Sequence, residues 1–177
     1  MHYGDSCRRW DTDPPEKSEE FVQIASRTPL NHLQYGGSIA SVTSTSAPLT
    51  VLVYSDDVQT REDVMMALGR RPHPDLPEVE FVEVATEPVV IQQMDAGGID
   101  LAILDGEAVP AGGIGIAKQL KDEIHKCPPV VVLTGRPQDL WLATWSRAEA
   151  AVSHPIDPIQ LAETVTRLLR SRVPAVR

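Results

Sequence analysis

From Leu49 onward, apolar residues fall into short unbroken runs separated by segments of helical spacing. Leu49-Thr-Val-Leu-Val-Tyr54, Val79-Glu-Phe-Val-Glu-Val84, Asp100-Leu-Ala-Ile-Leu104 and Pro129-Val-Val-Val-Leu133 read as strands, with a shorter one over Ala150–Ser153. Between and after them, helices are predicted over Thr60–Leu68, Thr86–Ala96, Ile114–Ile124, Gln138–Arg147 and Pro158–Arg170. In the last of these Leu161, Val165, Leu168 and Leu169 line one face at the helical period. Pro88 suits the first turn of the second helix, and the Pro-rich stretch Gly69–Pro77 reads as a loop. Strands that alternate with helices and are mostly apolar call for a parallel sheet covered on both faces. The fold class is therefore α/β: a flavodoxin-like, doubly wound, five-stranded parallel sheet with an extended N-terminal arm.

The pattern before residue 48 is different. Residues 1–47 hold scattered apolar groups without a sustained period and end in the polar run Ser38–Ser46. The chain thus divides into an arm (1–47), a compact domain (48–170) and a short tail (171–177). Such an arm either packs on its own domain or lies along a partner protein; the partner reading is preferred, with Trp10 and Phe21 as anchors.

Composition narrows the function classes. A net charge of -9 at pH 7 disfavours phosphate-rich nucleic acid and anionic lipid, and leaves protein partners or a bound cation. Hydrophobic residues make up 42% of the chain but aromatics only 5%, so aliphatic side chains must fill the core. Cys7 and Cys127 stand far apart and suggest neither a disulfide framework nor a zinc site. No run approaches a membrane span and the start lacks a signal peptide, so a soluble cytoplasmic chain is expected.

In a doubly wound sheet the chemistry sits at the carboxyl ends of the strands. Asp56 and Asp57 follow the first strand, Asp105 the third, Thr134 the fourth, and His154-Pro155 the fifth. Three carboxylates meeting at one point repel each other unless a hard cation joins them, and Mg²⁺ suits such oxygen donors. One carboxylate could then accept a phosphoryl group, with the Thr134 hydroxyl bonding its oxygens. Gly112-Gly-Ile-Gly115 is rejected as a dinucleotide loop because it follows the third strand and lacks the full spacing.

With those residues in place, positions 49–170 resemble a bacterial response-regulator receiver domain. The resemblance implies a metal-binding acidic pair at Asp56 and Asp57, a phospho-acceptor at Asp105, a further metal ligand in the backbone carbonyl of Glu107, and switch positions at Thr134 and His154. Pro155 matches a proline usually preceded by a cis peptide bond. Several positions depart from the family pattern. His154 replaces a lysine, Ala151 stands at the aromatic switch position, and Gly112 replaces an aspartate. The shorter, nearly neutral histidine cannot clamp a phosphoryl group as an always-charged lysine does.

An atypical receiver without an output domain follows: not an enzyme, but a regulatory subunit docked on a larger assembly through its arm. Trp141 and Trp145, one helical turn apart, are expected either to fill core or to contact a partner. A similarity to orphan single-domain regulators of actinobacteria suggests a respiratory NADH dehydrogenase as that assembly. The alternative is a phospho-accepting single-domain regulator in a two-component phosphorelay, served by a sensor kinase. A small enzyme or nucleotide binder ranks last, for want of a phosphate loop or an acid/base pair.

Overall fold

The computed structural model describes residues 47–172. Its elements run β1 (Leu49–Tyr54), α1 (Val58–Leu68), β2 (Val79–Val84), α2 (Glu87–Ala96), β3 (Leu101–Asp105), α3 (Gly113–Glu123) and β4 (Val130–Thr134). A 3₁₀ turn (Pro137–Leu140), α4 (Trp141–Ser146), β5 (Ala150–Ser153) and α5 (Pro158–Arg170) complete them. All strand pairs are parallel, in the order β2-β1-β3-β4-β5. The doubly wound sheet read from the sequence is thus the fold observed.

Alternate residues of the same strands feed two separate cores, as a strand's two-residue period requires. Val51, Val53, Leu101, Ile103, Val131 and Leu133 pack with Val64 and Leu68 of α1 and with Leu161, Val165 and Leu169 of α5. Leu52, Tyr54, Ala102, Leu104, Val130 and Val132 pack on the other face with Val90 and Met94 of α2, Ile116 and Leu120 of α3, and Ala143 of α4. Leu76, inside the Pro-rich loop, is buried in the first core and anchors that loop.

The boundaries differ from the sequence reading in ways that matter. α1 begins two residues early, at Val58, because Asp57 caps it. β3 and β4 each run one residue further, so Asp105 and Thr134 are the last residues of their strands and remain buried. The fourth helix is not continuous over Gln138–Arg147. Pro137 opens a 3₁₀ turn, and Arg147, left-handed at φ 60°, ends α4 after six residues. No described helix is long and apolar enough to cross a membrane.

Candidate functional site

The sheet order reverses at β1, whose neighbours are β2 on one side and β3 on the other. The crevice at the carboxyl ends of β1 and β3 is the place such a fold offers a ligand. Register carries three side chains to that level: Tyr54 beside Leu104, Asp105 beside Leu133, and Thr134 beside Ser153.

Asp105 is 4% exposed, a depth at which a carboxylate needs hydrogen-bond donors or a counter-charge. It has two donors. The Ser55 hydroxyl, itself fully buried, donates to Oδ2 at 2.7 Å, and the Glu107 backbone N–H donates to Oδ1 at 3.0 Å. His154 Nε2 stands 3.8 Å from Oδ1 and is buried without a hydrogen-bond partner. The His154–Pro155 peptide is cis, as expected for Pro155.

The two neighbouring aspartates do different things. Asp57 turns to α1: Oδ1 accepts the Gln59 N–H at 3.1 Å and Oδ2 accepts the Thr60 hydroxyl at 3.1 Å. The Gln59 amide, followed by that hydroxyl, holds the Asp57 carboxyl below its usual range. Asp56 is exposed. Its negative field acts, after burial, to push the Tyr54 phenol up, with Glu87 and Asp105 adding to it. Tyr54 keeps its proton on a hydrogen bond to the Ala111 carbonyl at 2.6 Å, which pins the β3–α3 loop to the end of β1.

Thr134 is buried, and its hydroxyl donates to the Arg136 carbonyl at 3.3 Å rather than to Asp105. Glu107 bridges two strand ends. Its N–H serves Asp105 while its carboxylate accepts the Gly135 N–H at 3.2 Å.

The donor set read from the sequence for Mg²⁺ therefore does not gather as expected. Asp57 is engaged at the start of α1. Among the described residues no group of three or more His, Cys, Asp or Glu side chains is assembled for a metal ion. Both oxygens of Asp105 accept from N–H or O–H donors. Asp56, Asp57 and Asp105 do not form such a group as they stand.

Trp141 and Trp145 stand at the surface of α4. They are 62% and 53% exposed, with Leu140 exposed beside them, so neither fills core. Trp10 and Phe21 lie outside the described residues. Ala151 is half-buried against the second core. Three features escaped sequence reasoning: Ser55, the Glu107 carboxylate, and Arg61. The Arg61 guanidinium donates to the Ser55 carbonyl at 2.7 Å and pairs with Glu83 at 3.3 Å, which fixes the main chain at Ser55. A single serine or arginine beside an acidic pair carries no signal of its own in a sequence.

Comparison with known proteins places this geometry. The chain is 71% identical over 126 residues to an uncharacterized response regulatory protein of Mycobacterium tuberculosis strain H37Rv, covering 71% of this chain and 95% of that one. The counterpart in strain CDC 1551 / Oshkosh matches with the same figures. Among solved structures, the receiver domain of the Francisella response regulator 1452 superposes with TM-score 0.60 at 15% identity, over 71% of this chain and 99% of that one. A chain in the co-crystal of the Saccharomyces cerevisiae phosphotransfer protein Ypd1 with the Ssk1 receiver domain gives TM-score 0.61 at 18% identity, over 73% and 94%. At these identities the superpositions concern the fold. No family model matches the chain.

Proposed function

The chain belongs to the response-regulator family and carries its receiver domain, and we propose that it acts as a protein-interaction module, docked on a larger assembly by its N-terminal arm (1–47) and by the face around α4. The observation that carries this reading is the exposed pair Trp141 and Trp145, one turn apart on α4. Large aromatics left in water next to each other cost solvation that a partner surface recovers, and tryptophans are frequent interface anchors. Two further features support it: Asp105 is already satisfied by internal donors, and Ala151 leaves β5 without an aromatic to rotate. The assembly suggested by the resemblance is a respiratory NADH dehydrogenase.

The test is recovery of the tagged full chain from its native cell in mild detergent, with stoichiometry measured. It is compared with a Trp141→Ala/Trp145→Ala variant and with a chain lacking 1–47. One large complex recovered in fixed proportion, and lost in both variants, is the expected result. Equal recovery from all three chains ends this reading.

A second reading is a phospho-acceptor in a two-component relay, fed by a sensor kinase. It is favoured by the burial of Asp105 at the end of β3 and by the unpartnered His154 Nε2 beside it. Incubation with acetyl phosphate should then add a phosphoryl mass at Asp105 that Asp105→Asn abolishes. An unmodified chain would sink it for that donor.

A further inference from the structure

We infer that Ser55 is the positioning residue of the Asp105 pocket, and that its hydroxyl fills the place where a second carboxylate would be needed for a divalent cation to bind. Ser55, not Asp57, is the β1-end side chain that reaches Asp105. It is fully buried, and its Oγ lies 2.7 Å from Asp105 Oδ2, the length of a bond in which a hydroxyl serves an anion.

The direction of that bond is fixed. A serine hydroxyl has one proton and two lone pairs. One lone pair accepts the Asp57 N–H at 3.1 Å, which leaves the proton to point at Asp105. The main chain of Ser55 is held in turn, since its carbonyl accepts from the largely buried Arg61 at 2.7 Å and its N–H donates to the Val84 carbonyl at 3.2 Å.

The chemistry follows from charge. Two buried carboxylates at this distance would repel, and a cation would be the means of holding both. A neutral hydroxyl removes the repulsion and supplies a donor, so the pocket closes on itself. Ser55 therefore sets Asp105 as a hydrogen-bonded carboxylate rather than a metal ligand.

The experiment titrates the full chain with Mg²⁺ alone and follows backbone amide resonances in wild type, Ser55→Asp and Ser55→Ala. Wild type is expected to show no saturable shift at Asp105 or Glu107 in the millimolar range. Ser55→Asp should gain saturable shifts at Asp56 and Asp105, an affinity increase of about tenfold or more. Ser55→Ala should move the Asp105 and Glu107 amides, since the donor is gone, yet stay silent to Mg²⁺ because no carboxylate was added.

If Ser55→Asp folds only when Mg²⁺ is present, the inference is equally supported. If it folds under neither condition, the other two chains decide: a silent wild type with the Ser55→Ala pattern above supports the inference, and any other pattern overturns it. Saturable binding at Asp105 in wild type, or a folded Ser55→Asp that gains nothing, also overturns it. None of these outcomes depends on whether a partner is found at the Trp141–Trp145 face.

Discussion

α5 and the helical stretch that precedes β5, Pro137 to Ser146, are built in opposite ways. α5 has Asp157 at its start, whose side chain accepts the N–H groups of both Ile159 and Gln160, and Pro158 in the first turn. Leu161, Val165 and Leu169 are completely buried along one side. Arg167 and Arg170 lie in its last turn, where the exposed carbonyls favour positive charge. The stretch before β5 has no side-chain cap, changes from 3₁₀ to α in mid-course, and ends on a left-handed arginine. It buries Ala143 and Ser146 while presenting both tryptophans to water. The cap and the buried stripe of α5 serve the domain's own stability, although Ile159 in its first turn is exposed, whereas the large apolar groups of the other stretch contribute little to it. Such an exposed apolar pair is the surface that the proposed docking would use.

That contrast can be broken by mutation. Leu161→Ala should have the largest effect, a loss of about 2–5 kcal/mol for a fully enclosed leucine, read by chemical denaturation. A loss well under that range would mean that α5 is not the stabilising element. Removing the cap with Asp157→Ala should cost about 1 kcal/mol in the same assay, because two N–H groups lose their acceptor. The smallest change is expected from Trp141→Ala and Trp145→Ala, each within about 0.5 kcal/mol of wild type. A loss of several kcal/mol at either tryptophan would make it structural and remove the difference between the two regions.

Most of the architecture was legible because burial on both faces leaves an unmistakable trace. The runs at Val51–Val53, Leu101–Leu104 and Val130–Leu133 are apolar throughout, and α5 carries its stripe at the helical period. The stretch around α4 was read as one helix because its break depends on Pro137 and on a left-handed Arg147, and arginine gives no warning of that conformation. At the site, Asp105 was legible as a carboxylate behind a buried strand. Which of three adjacent polar residues faces it was not. Ser55, Asp56 and Asp57 sit where the strand's alternation gives way to the helix cap, so a shift of one position changes the reading from acid to hydroxyl. The competing attraction of the α1 amides for Asp57 decided the matter, and that is a three-dimensional fact.

The glycines between β3 and α3 have a consequence for how this chain can change over time. A Cβ at Gly113 would lie 2.6 Å from the Asp105 carbonyl oxygen, and one at Gly106 would lie 2.5 Å from that of Leu133. Both obstacles are main chain and neither can swing aside. Any side chain added at these two positions must displace the strand ends themselves. Change around Asp105 is thereby directed to side chains such as Ser55, Glu107 and His154, because a side chain at either glycine would push on the strand ends that present them.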